Sequence, residues 1–137
     1  GDDELTEVSC SVLLASGKQA FKEGNAQRAA ALFELAKAAS ERSGDRNDQV
    51  RALVNAGNVH ASRGHHEAAY VDYHAALGIA RSKRDIALED LILPNVVSCC
   101  AGLGKTEEAL GLATRHVLIA SAAVVESQRA SGMALIW

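Results

Sequence analysis

The stretch Leu53-Val54-Asn55-Ala56-Gly57-Asn58-Val59-His60, then Gly64, then Ala69-Tyr70-Val71-Asp72-Tyr73-His74-Ala75-Ala76-Leu77, decides how this chain is read. Shifting the sequence by 40 residues in either direction lays a related stretch over it. Leu13, Leu53 and Leu93 coincide, as do Gly24, Gly64 and Gly104, and Ala29, Ala69 and Ala109. Phe33, Tyr73 and Ala113 share a column. Further columns hold Ala36, Ala76 and His116, and Ala39, Ile79 and Ile119. Gly17 matches Gly57, with Val97 as the third member. One offset kept without a gap through three copies marks an internal repeat, a unit that buries its apolar face only by stacking on its neighbours.

Each copy reads as two helices. The shared glycine suits the position just past a helix C-terminus, because it tolerates the left-handed backbone. The second helix follows a residue or two later, with Asn25 and Thr106 as N-cap candidates and Glu107 and Glu108 at the positive helix end. Ala29, Leu32, Phe33, Ala36 and Ala39 then fall at helical spacing, as do Ala69, Tyr73, Ala76 and Ile79. The polar stretches Ser43-Gly44-Asp45-Arg46-Asn47 and Lys83-Arg84-Asp85 read as linkers. Small residues recur where paired helices would cross: Gly17, Gly57, Ala29, Ala69 and Ala109. With 26 alanines and only 4% aromatic residues, the chain suits helices packed closely together.

Composition narrows the function. At 137 residues the chain makes one domain, and with 48% hydrophobic residues and a net charge of −3 it is not intrinsically disordered. The acidic balance argues against a nucleic-acid partner, which needs a clustered basic surplus. No uninterrupted apolar run has the length of a membrane span and no signal peptide opens the chain, so no membrane partner is expected. Cys10, Cys99 and Cys100 are odd in number and lack a CxxC spacing, which fits a reducing, cytoplasmic setting and supplies no zinc framework. None of the common nucleophile, phosphate-loop, zinc-protease or dinucleotide motifs is present, so no enzyme activity, cofactor or metal is expected. Among the histidines, His60 falls in a core column and His65 and His66 straddle a turn, which argues against a shared metal.

The run Leu53-x-x-Ala56-Gly57-x-x-His60, Gly64 and Ala69-x-x-x-Tyr73-x-x-Ala76-Leu77 resembles the tetratricopeptide repeat (TPR). The first copy, Leu13-x-x-Ser16-Gly17, Gly24 and Ala29-x-x-x-Phe33-x-x-Ala36, matches less fully, and the third matches at Leu93, Gly104 and Ala109. The 40-residue period exceeds the usual 34. Long repeats with this linker and Asn-Ala-Gly-Asn at 55–58 resemble adaptor-type TPR proteins such as the kinesin light chains and the spindle-orientation adaptors.

That resemblance implies an all-α, right-handed superhelical solenoid of three TPR-like helix pairs plus a C-terminal capping helix. Residues 1–6 would be a tail, 7–43, 47–83 and 86–123 the three repeats, and 124–137 a capping helix or the start of a fourth repeat. Met133, Ile136 and Trp137 would cover the last open face. In such arrays the first helices line a concave groove, and the family offsets place Leu14, Lys18, Phe21, Lys22, Arg51, Asn55, Asn58, Leu91, Asn95 and Ser98 along it. The set carries cations and no carboxylate, and its asparagines can both donate to and accept from a peptide backbone. It implies a protein or peptide partner with acidic and apolar residues. The carboxylate clamp of chaperone-binding relatives is poorly met, since Leu14, Leu91 and Asn95 stand at clamp positions. The alternative is a scaffold that self-associates, as a homodimer, through its terminal repeats, or a regulatory domain of a larger protein. Pro94, inside a first helix, predicts a kink or a fresh helix start.

Overall fold

The computed structural model describes residues 8–132. They form six α-helices: α1 Cys10–Lys22, α2 Ala26–Ser43, α3 Arg46–Ser62, α4 His66–Ser82, α5 Ile86–Gly102 and α6 Thr106–Ala130. No strand occurs among the described residues. Each helix packs against the next in the chain, and α1 also touches α3. The molecule is all-helical with sequential packing.

The 40-residue offset reappears in the helix bounds, since α2, α4 and α6 begin at residues 26, 66 and 106. The cause is local. Gly24, Gly64 and Gly104 adopt φ of 82°, 76° and 74°, a left-handed conformation that a Cβ would strain. This turns the chain so that the amides of Asn25, His65 and Lys105 donate back to the carbonyls of Ala20, His60 and Cys100 at 2.8–2.9 Å. Asn25 caps α2, its side chain accepting from the Arg28 amide. Thr106 does not cap α6. It is the first helical residue, and the residue before it, Lys105, offers no side-chain cap.

The fresh helix start expected at Pro94 does not occur, because residues 86–102 form one helix through it. Pro94 is exposed, whereas its neighbours Ile92, Leu93 and Val96 are fully buried. Burying each such side chain is worth about 1.5–3 kcal/mol, enough together to outweigh a proline penalty of about 3 kcal/mol. Residues 124–130 likewise form no separate capping helix but continue α6. In the 40-residue register, Val124 stands where Gly44 and Arg84 take positive φ to end α2 and α4. A β-branched valine resists that conformation, so the helix runs on. Met133, Ile136, Trp137 and the tail at 1–6 lie outside the described residues.

The helix pairs close on a glycine set against an aromatic ring. A Cβ on Gly17 would stand 2.5 Å from Phe33 Cε1, and one on Gly57 would stand 2.7 Å from Tyr73 Cε1. Both rings are buried, and the Tyr73 hydroxyl donates to Asn58 Oδ1. At the corresponding positions the third copy has Val97 and Ala113, with the bulk moved from the second helix to the first. The two positions therefore compensate in size. Gly57→Val alone should lose about 1–3 kcal/mol through overpacking, and Tyr73→Ala alone about 3–5 kcal/mol through the cavity left behind. In urea denaturation the double variant should lose at least about 1 kcal/mol less than the sum of the two. Strict additivity would mean that the positions do not complement each other.

Candidate functional site

The residues expected to line a groove are not equally available. Lys18, Phe21 and Lys22 on α1, Arg51 on α3, and Leu91 and Ser98 on α5 are exposed. Leu91 presents 68% of its surface. Asn55 and Asn95 are half-buried. Leu14 is buried in the core formed by α1, α2 and α3, so it has little surface to offer a ligand. Asn58 is half-buried and its amide oxygen accepts from Tyr73, which gives it a bridging role between α3 and α4. Asn55 donates through Nδ2 to the Arg51 carbonyl one turn back at 2.7 Å, leaving its Oδ1 as a free acceptor in that geometry. Because α1 touches α3, the α1 and α3 members of the set lie on neighbouring helices.

The most concentrated polar chemistry lies elsewhere, among Glu34 and Lys37 on α2, His60 on α3 and Asp72 on α4. The Lys37 ammonium stands 2.9 Å from Glu34 Oε1 and 3.0 Å from Asp72 Oδ1. His60 Nε2 lies 3.5 Å from Glu34 Oε1 and 3.6 Å from Asp72 Oδ2. Asp72 is buried, and burial pushes its carboxyl above the ordinary aspartate range despite the opposing pull of Lys37. For Lys37, burial works against the charge, but the two carboxylates hold the ammonium above the usual lysine range. The sequence contains the signal for this cluster. Asp72 stands in a column otherwise filled by Leu32 and Leu112, and His60 in one filled by Ala20 and Cys100. A charge in an apolar column is a charge the fold must bury.

A second buried carboxylate joins the last three helices. Glu89 on α5 accepts from Nε and Nη2 of Arg115 on α6, each at 3.1 Å, and from Nε of Arg81 on α4 at 3.3 Å. The Arg115 hydrogen bonds hold the Glu89 carboxyl below the usual glutamate range, over the opposing effect of burial. Beside it, His116 Nδ1 meets Asp90 Oδ1 at 2.7 Å. On the same helices Tyr70 donates to Glu108 at 2.7 Å, and that bond leads the causes that push the phenol up to about 12. All three cysteines are buried and free, and burial pushes each thiol up, away from the reactive thiolate.

Helix α6 differs from its counterparts. It has 25 residues against 18 in α2 and 17 in α4, and its one fully buried residue is Ile119. Leu110, Val117, Leu118, Val124 and Val125 are exposed. Val117 is 60% exposed, while Leu77, its equivalent on α4, is fully buried in the core shared with the neighbouring helices. By length and composition α6 is apolar enough to cross a membrane. Its mid-helix residues Arg115 and His116 are nonetheless paired with Glu89 and Asp90 of α5.

The Glu89 clamp predicts a pH dependence of defined sign. A carboxyl whose folded pKa lies below its unfolded value contributes stability that is complete above the ordinary value of 4.5 and is lost as pH falls through the folded one. At neutral pH Glu89→Gln should cost about 2 kcal/mol. As pH falls below 4.5 the gap between wild type and variant should narrow. A gap of constant size from pH 7 to pH 3 would show that the carboxylate charge does not matter.

Compared with known proteins, the chain matches no family model and no curated relative.

Proposed function

We propose that this chain is a non-enzymatic, cytoplasmic protein-interaction module, built as a right-handed stack of three TPR-like helix pairs, that binds a peptide or helix of a partner protein across α1, α3 and α5. The 40-residue recurrence of glycine turns and helix starts supports the repeat architecture. The observation that carries the binding role is the exposure of Phe21 on α1 alongside Lys18 and Lys22, together with the exposure of Arg51 on α3 and of Leu91 on α5. Exposed apolar side chains together with exposed cations suit a segment with one or two apolar anchors and acidic neighbours. The anchors supply affinity by leaving water, and the cations speed encounter.

A displayed library of random peptides selected on the chain tests this reading. Retained peptides should be enriched in Asp or Glu beside Leu or Phe. Leu91→Ala should weaken the best of them by about 1–2 kcal/mol, because the anchor loses its apolar contact. Arg51→Ala should weaken it less, chiefly by slowing association, and the difference should shrink as salt rises. Selection of peptides indifferent to both substitutions would remove α1, α3 and α5 as the binding face.

A second reading, self-association through the end of the array, is favoured by the contrast between the two outer faces. On α3 the residues turned towards the preceding pair are Ala52, Ala56 and Val59, and on α5 they are Ile92, Val96 and Cys99, all buried. The same columns on α1 hold Val12, Ser16 and Gln19, which are exposed and mostly polar. These α1 columns are thus better suited to water than the exposed apolar face of α6. Under this reading, sedimentation should show mass rising with concentration, and Val117→Glu with Val124→Glu should return the chain to a monomer.

A further inference from the structure

We propose that Glu34, His60 and Asp72 form a site for a divalent transition-metal ion of the zinc class, joining α2, α3 and α4, with the Lys37 ammonium as a tethered competitor for the same position. An oxygen of Glu34, Nε2 of His60 and an oxygen of Asp72 all lie within 4.8 Å of one another. Separations of 3.5 and 3.6 Å from the imidazole to the two carboxylates are too long for hydrogen bonds. They match a different geometry. Donors bound at about 2.0–2.2 Å around a tetrahedral ion stand about 3.3–3.6 Å apart along its edges.

Burial adds an independent observation. The Asp72 side chain is 7% exposed, and its Oδ2, the oxygen turned to His60, has no hydrogen-bond partner. Groups of this kind are costly to bury unless something binds them. The adjoining pair provides an internal control. At the equivalent positions Lys37 becomes Leu77, His60 becomes Cys100 and Asp72 becomes Leu112, while Glu34 becomes His74. Leu77 and Cys100 are fully buried there, so the fold closes the same junction without this charge set. Packing does not explain the set at the first junction.

The charges also fit. Two carboxylates facing one ammonium leave an excess of one negative charge, and a divalent ion with a neutral imidazole would balance both carboxylates. Lys37 sits where the carboxylates draw a cation, but its flexible stem and 20% exposed side chain let the ammonium move out to water. Glu34, about half exposed, leaves the site open on that side and leaves a fourth position for water. One nitrogen and two oxygen donors suit zinc or cobalt better than magnesium or calcium, which prefer oxygen alone. The inference is independent of the peptide-binding reading, since none of the four residues belongs to that face.

The test uses the untagged chain, stripped with a chelator and titrated with Zn²⁺, with Co²⁺ as the spectroscopic probe. One equivalent of zinc should raise the melting temperature by several degrees, and cobalt should give the visible absorption of a low-symmetry tetrahedral site. Lys37→Met removes the competitor, so it should tighten zinc binding at least tenfold and regain with zinc the stability it loses without it. His60→Gln keeps the Lys37–Asp72 pair and should abolish both the cobalt spectrum and the thermal shift. Zinc binding that leaves His60→Gln equal to wild type would place the ion on surface histidines and overturn the proposal. Absence of any zinc effect on wild type and on Lys37→Met would also overturn it, leaving a structural ion pair. Should Lys37→Met fail to fold, equilibrium dialysis of Co²⁺ against wild type and His60→Gln decides alone.

Discussion

The aromatic rings of Phe33 and Tyr73, laid against Gly17 and Gly57, set how closely the first two helix pairs can close. A side chain of even one carbon on either glycine would collide with its ring, so the backbone of one helix is in contact with the side chain of the other. This contact fixes the rotation of both helices in the pair. It directs Ala36 and Ala39 on α2, and Ala76, Ile79 and Ala80 on α4, into the cores shared with the following helix. In a chain with few aromatic residues, these two rings fill space that its alanines leave. Where the third copy lacks the ring, Val97 on the first helix carries the bulk instead.

The features legible in the sequence were those with local causes. A glycine required to take positive φ marks its position wherever it stands, so the turns at 24, 64 and 104 could be read directly. Rules that compete with burial could not. Pro94 breaks helices as a local matter, but here it sits on the exposed side of a helix whose other side buries Ile92, Leu93 and Val96. The helix survives because its core contacts outweigh one missing hydrogen bond. Of the candidate groove residues, Leu91, Arg51, Lys18 and Lys22 are exposed, whereas the offset that put Leu14 beside them leads into the core. Asp72 has no local mark of burial; only its repeat column, otherwise leucine, signals it.

The two buried carboxylates show how the same residue type can be over- or under-supplied with counter-charge. Glu89 receives three hydrogen bonds from two arginines, and its carboxyl is held below the ordinary range. Asp72 shares a single lysine with Glu34 and leaves one oxygen unbonded, and its carboxyl is pushed above that range. Both join three consecutive helices, so burial alone does not separate them. The number of donors does. Guanidinium groups satisfy both oxygens at once in a planar fork, whereas one ammonium stretched between two carboxylates cannot. The junction of α2, α3 and α4 is therefore where additional positive charge would lower the energy of the fold.

The two candidate interaction surfaces draw on different residues and are not rivals for space. Peptide binding would use Phe21, Arg51 and Leu91 on α1, α3 and α5, while self-association would use Val117, Leu118 and Val124 on α6. A pair of chains joined through α6 would keep both binding faces free, and a partner with two copies of its segment would then meet two sites held together. The second contact becomes intramolecular, and its strength depends on whether the partner's linker can span the distance. Weak contacts at single exposed residues such as Leu91 would be sufficient in that arrangement. The columns of α1 that correspond to the buried faces of α3 and α5 hold Val12, Ser16 and Gln19, so they offer less apolar surface than α6, and pairing of α6 with α6 would be favoured over stacking of α6 on α1.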